Sequence, residues 1–137
     1  MAATVQHVAL NCRDRAAQEA SYSDVFGFER ARVFNAGKPD EFVMLRLGDV
    51  RMELFQSDAR DASGGEQPVG FKHLCLQVAD IEQKVEALNA AGVRTDPIID
   101  CGEQVPGLKV CFFSDPEGNR IELMEGWQDD PNPPQRA

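Results

Sequence analysis

Two histidines occur in this chain, His7 and His73, and they stand 66 positions apart. Gly27 and Gly92 are separated by 65 positions, and Glu53 and Glu122 by 69. Offsets this close to constant mark an internal duplication, which limits the possible folds more than composition does. Each half reads as the same run of elements, one strand, one helix and three more strands. A single helix covers only one face of such a sheet. The other face must meet its counterpart in the second half, or in a second chain.

The elements follow from side-chain pattern. Residues 4–11, TVQHVALN, alternate, with Val5, His7, Ala9 and Asn11 on one face and Val8 and Leu10 on the other. The spacing predicts a helix over 14–26, with Asp14 as its cap, a weak apolar stripe through Ala17, Ala20 or Ser21, and Val25, and Gly27 as its stop. Strands are predicted over 28–34, 41–47 and 50–56, the last two joined at Gly48-Asp49. The polar stretch 57–69, SDARDASGGEQPV, reads as the connector between halves. A strand over 71–78 restarts the pattern. Asp80 with Gln83 is a capping-box signature, Ile81, Val85, Leu88 and Ala91 follow at helical spacing, and Gly92 ends the helix. Strands are then expected over 93–99, 108–114 and 120–125, with a turn at DPEGN in which Pro116 suits a type I turn. This makes one domain over 1–137, built of module one, 4–56, and module two, 71–126. The segment 127–137, rich in proline, is expected to be a mobile tail.

Four side chains stand out. Glu53 lies between Met52 and Leu54, and Glu122 between Ile121 and Leu123, so each carboxylate faces away from its apolar neighbours. His7 and His73 sit in the opening strand of each half. Taken singly, a strand histidine reads as a hydrogen-bonded residue and a strand glutamate as a solvated one. Recurrence of His, Glu, His, Glu in the same order, on the face opposite the helix, points instead to one site for a divalent transition metal. Four protein ligands on a six-coordinate ion leave two positions for water or substrate. Cys75 shares the His73 face and is a further candidate, though a buried structural thiol explains it as well. Arg51 and Arg120 lie on the glutamate faces, where each can steady an anionic substrate or pair with a neighbouring acid.

The chain carries a net charge of −9, which excludes the clustered basic surface that nucleic-acid binding needs. No apolar run approaches the roughly 18 residues of a membrane span, and no signal peptide is evident at the start. The four cysteines form no CxxC pair, so reduced thiols and a cytoplasmic location are expected.

The stretches FFSDPEGNRIELME, SYSDVFGF and GFKHLCLQVADIE together resemble the vicinal oxygen chelate superfamily of glyoxalase I, fosfomycin-resistance proteins, methylmalonyl-CoA epimerases and extradiol dioxygenases. The resemblance spans 4–126 and implies an α+β fold of two βαβββ modules whose curved sheets enclose a metal cleft. The full set His7, Glu53, His73 and Glu122 is most similar to that of short bacterial glyoxalase I; dioxygenases use three ligands, and epimerases favour glutamine at the place of Glu53. The glutathione-contacting segments of glyoxalase I have no clear counterpart in 30–42 or 57–70. The resemblance implies a lyase or isomerase using Ni, Co, Zn, Mn or Fe on a small substrate with vicinal oxygens, through a metal-stabilised enediolate. It assigns Glu122 as the base and Glu53 as the group that returns the proton. It also implies a homodimer. The alternatives are an epimerase of methylmalonyl-CoA or keto-sugar type and a protein that sequesters a drug or metabolite.

Overall fold

Strand and helix formation follow the patterning described above in most places. In the computed structural model, residues 2–58, 68–114, 118 and 120–137 are described. Strand β1 (Thr4–Cys12) leads into helix α1 (Arg15–Ala20), which continues as a π-helical turn over Ser21–Val25. Strands β2 (Glu29–Phe34), β3 (Phe42–Leu47) and β4 (Val50–Gln56) complete the first half. The second half repeats the plan with β5 (Gly70–Gln77), α2 (Ile81–Ala90), β6 (Ile99–Asp100), β7 (Lys109–Ser114) and β8 (Arg120–Glu125). In the first half β2 pairs with β3 and β3 with β4, both antiparallel, while β4 runs parallel to β1. The second half has the same plan, with β6 against β7, β7 against β8 and β8 parallel to β5. Two βαβββ modules are therefore present. The connector residues 59–67 and most of the DPEGN turn, Pro116 included, lie outside the described residues.

Two compact units result: His7–Lys72 with Asp129–Ala137, and His73–Gln128 with Met1–Gln6. In the first, Leu54, Val43, Leu45 and Cys12 form the core, with Leu10, Met52, Val33, Tyr22 and Phe28 packed on it. In the second, Ile81, Val78, Cys111 and Leu123 form the core, joined by Leu76, Val85 and Leu88. Among the described residues no helix is long and apolar enough to cross a membrane.

Both predicted caps form. The Asp14 carboxylate accepts from Ala17 N–H and the Asp80 carboxylate from Gln83 N–H, each at 3.0 Å. Each satisfies an amide that the first helical turn leaves without an intrahelical partner.

The first helix differs from its expected face. Ala17 is exposed, and the residue α1 buries is Glu19. Its carboxylate receives the Arg30 guanidinium in a two-pronged pair, Nε to Oε2 at 2.7 Å and Nη2 to Oε1 at 2.8 Å. The strand expected over 93–99 is also largely absent. Asp96 N–H donates to Phe112 O at 2.8 Å and Thr95 bridges Phe113, but regular pairing resumes only at Ile99. Pro97 has no N–H to donate and restricts the residue before it, so the ladder breaks there.

The segment expected to be a mobile tail is bonded to the first unit. Asp129 accepts from Arg51 Nε at 3.0 Å and lies 3.2 Å from Arg46 Nε, and Asp130 N–H donates to Ala31 O at 2.8 Å. Pairing of β2 with β3 shifts register between Arg30 and Arg32, which frees the Ala31 carbonyl for that bond. Arg30 Nη1 donates to Pro134 O at 2.7 Å.

Candidate metal centre

Parallel pairing positions the first histidine and glutamate. Ala9 of β1 lies opposite Glu53 of β4, and His7, two residues before Ala9, shares its face. His7 Nε2 comes within 3.3 Å of Glu53 Oε1. Neither residue belongs to the core under α1, yet His7 is fully buried and Glu53 is 6% exposed. A buried carboxylate needs a cation or a hydrogen-bond donor to offset its desolvation.

The second unit builds the same object. Cys75 of β5 lies opposite Glu122 of β8, and His73 precedes Cys75 by two residues. His73 Nε2 is 2.8 Å from Glu122 Oε2, and both residues are buried. The Phe112 ring meets the His73 imidazole edge-on at 5.6 Å between centroids, which fixes the plane of the imidazole. Cys75 thus occupies in module two the position of Ala9 in module one, and it too is fully buried. Each unit therefore brings one predicted histidine together with its predicted glutamate.

The arginines singled out from sequence are engaged by acids. Arg51 holds Asp129, and Arg120 pairs with Asp96 and stacks over Phe112 at 5.3 Å. All four cysteines are free thiols. Burial raises the pKa of Cys101, and the charges of Glu122 and then Asp100 raise it further. Nothing here marks a reactive thiolate.

One neighbour escaped sequence reasoning. Lys72 places its ammonium 4.2 Å from the centroid of the Phe55 ring. Burial pushes the Lys72 pKa down, and the Glu53 carboxylate works against that shift. Phe55 lies two residues beyond Glu53 on β4, on the same face, so an aromatic at that spacing was the available signal.

A cleft of about 520 Å³ elsewhere in the first unit is lined by Glu19, Arg30, Arg46, Asp129 and Arg136, among others. Arg30 pairs with Glu19 and Arg46 with Asp129 within this lining, and Arg136 pairs with Asp24.

The donor chemistry of the two His–Glu pairs fits a divalent transition metal. Imidazole nitrogen and carboxylate oxygen are the borderline ligands such ions take, and each pair is already brought together in a buried setting.

Comparison with known proteins agrees with the fold. An uncharacterized protein, YaeR, of Escherichia coli (strain K12) is 30% identical over 125 residues, covering 88% of this chain and 95% of that protein. A lactoylglutathione lyase of Pseudomonas aeruginosa is 31% identical over 68 residues, covering 50% of this chain and only 36% of its own length. The crystal structure of methylmalonyl-CoA epimerase from Mycobacterium tuberculosis superposes with a TM-score of 0.68 at 18% identity, covering 90% of this chain and 87% of that one. The family model of the Glyoxalase/Bleomycin resistance protein/Dioxygenase superfamily matches residues 4–123. With matched topology in both modules and a family match over nearly its full length, the chain belongs to the Glyoxalase/Bleomycin resistance protein/Dioxygenase superfamily.

Proposed function

We propose that His7, Glu53, His73 and Glu122 together hold one divalent transition metal, and that the protein is a glyoxalase I-like lyase or isomerase acting on a small substrate with vicinal oxygens. The observation that carries this reading is the matched register of the two buried pairs, Ala9 opposite Glu53 and Cys75 opposite Glu122, each with a histidine two residues upstream. Chance placement gives no reason for both modules to bury a carboxylate at equivalent points and to bring an imidazole to each.

A bound ion supplies a Lewis acid for the substrate's adjacent oxygens. The chain's own residues move the proton. Glu122 takes a proton from the carbon beside the carbonyl, and Glu53, protonated at the outset, delivers one on the other side; solvent resets both carboxylates before the next turnover. The His73 and His7 Nε2 atoms lie 2.8 Å and 3.3 Å from these carboxylates, a spacing at which nitrogen and oxygen can share one ion. Burial of both glutamates keeps bulk water from the reacting carbon during the transfer, and each carboxylate exchanges its proton with solvent between turnovers. The 68-residue match to a lactoylglutathione lyase supports the lyase reading. Ni, Co, Zn, Mn and Fe all suit this donor set. We also propose a homodimer, as in the short glyoxalase-like proteins the sequence resembles; sedimentation giving only a monomer mass at micromolar concentration refutes that.

The test is proton exchange by the metal-loaded protein in D2O, using hemithioacetals, 2-keto acyl-CoA analogues and keto sugars. Conversion of a hemithioacetal to its hydroxyacyl thioester supports the lyase. Deuterium incorporation with inversion but no net conversion assigns the protein to epimerase chemistry. No exchange into any of these compounds refutes the proton-transfer reading and leaves sequestration of a small molecule as the account of the four residues.

A further inference from the structure

Three phenylalanines form a row on the Glu53 face of module one. Phe34 of β2 is paired with Phe42 of β3, with ring centroids 4.5 Å apart and planes within 6°. Phe42 stacks in turn on Phe55 of β4, at 4.3 Å and 19°. Phe42 is thus stacked between the other two rings. None of the three belongs to the core beneath α1, and all are half-buried. A half-buried aromatic row outside the folding core, with a cation beside it, has the make-up of a small-ligand site. The Lys72 ammonium lies over Phe55 at 4.2 Å and also feels the charge of the Glu53 carboxylate. Phe55 stands about 7 Å along β4 from Glu53, at two residues of strand rise.

We propose that Phe34, Phe42, Phe55 and Lys72 form the subsite that selects the substrate, and that it takes a small amphipathic acid. Its apolar body lies along the rings and its carboxylate meets the Lys72 ammonium. The lysine carries a full charge, which favours an anion. The chain as a whole, at −9, repels anions, so anion binding here requires a built cation. A neutral ligand gains only the apolar part. The assignment of this row to substrate selection rests on the metal-centre reading; the binding itself does not.

The experiment titrates the full-length protein with 3-phenylpropanoate and with its neutral amide, by calorimetry and by amide NMR shifts. Both the chelator-stripped and the metal-loaded protein are used. The acid is expected to bind on the order of 10-fold more tightly than the amide, the scale of one charge-assisted hydrogen bond. Lys72→Met removes that preference and leaves amide binding in place, Lys72→Arg restores it, and Phe42→Ala weakens both ligands. Equal binding of acid and amide, a preference that survives Lys72→Met, or no saturable binding of either overturns the proposal. Because the stripped protein needs no ion to bind the acid, failure of the metal-centre reading leaves this result standing. Failure of the subsite leaves metal content unchanged.

Discussion

Gly126 closes β8, the strand that carries Glu122, and a side chain there has nowhere to go. A Cβ at this position would lie 2.2 Å from the Gly107 carbonyl oxygen and 2.8 Å from its carbonyl carbon, both backbone atoms. Its φ of +82° adds the left-handed penalty that alanine bears and glycine does not. Gly92 separates the two effects, because its φ is +88° but a Cβ there would meet nothing within 4 Å. Gly92→Ala is expected to lose about 1 kcal/mol, the conformational penalty alone. Gly126→Ala bears that penalty and must also push the Gly107 turn away by about 1 Å, an overpacking that costs about 2 kcal/mol more. The sum, roughly 3 kcal/mol, corresponds to a fall in melting temperature of roughly 10 °C for a chain of this size. Urea titration with a global fit of both variants gives the two values directly. Gly126 is four residues past Glu122, so metal content of the folded variant is expected to match the parent. Equal losses at the two glycines, or a loss below about 1 kcal/mol at Gly126, refute the close approach of the two backbones.

Other perturbations probe the remaining features. Arg30→Met leaves the Glu19 carboxylate, 4% exposed, without its cation and is expected to cost roughly 3 kcal/mol by denaturant titration. Adding Glu19→Leu recovers most of that loss, and a double variant no better than the single contradicts the pairing. Glu41 has its pKa lowered by the Gly37 N–H and by Arg15. A lowered folded-state pKa means this carboxylate contributes stability above its ordinary value of 4.5, and that contribution disappears as pH falls through the lower folded value. Glu41→Gln is therefore expected to flatten the acid limb of the stability curve, and an unchanged limb contradicts it. At matched metal content, Glu122→Gln is expected to lose on the order of 100-fold or more in turnover. Glu53→Gln is milder in a one-way lyase and comparably severe in a two-base epimerase, and equal mild losses in both variants contradict the proton-transfer roles.

Much of this was legible in the sequence because duplication repeats the evidence. Alternation alone placed Glu53 and Glu122 opposite the core residues Leu54 and Leu123, and the histidines followed from their equal spacing. Asp14 and Asp80 announced their caps because a short carboxylate before a helix has one obvious use. The buried face of α1 was hidden for the opposite reason. Its anchor is a charged residue, Glu19, whose burial depends on Arg30 eleven positions away, and no local pattern encodes that partner. The π-helical turn over Ser21–Val25 also breaks the 3.6-residue spacing that a stripe assumes. Pro97 could have warned against a strand over 93–99, since it removes a ladder donor. The bonds of Asp129 and Asp130 to Arg51, Arg46 and Ala31 join residues about eighty to a hundred positions apart, beyond the reach of composition.

The central claim is that one divalent ion is held by both modules of the duplication at once. Purified full-length protein is loaded with Co2+ or Zn2+, dialysed, and its metal content per chain measured alongside His7→Ala and His73→Ala. The account predicts about one tightly held ion per chain in the parent and loss of tight binding in both variants, each still folded by circular dichroism. A parent that retains no ion, or a variant in either module that keeps the parent's stoichiometry, contradicts it.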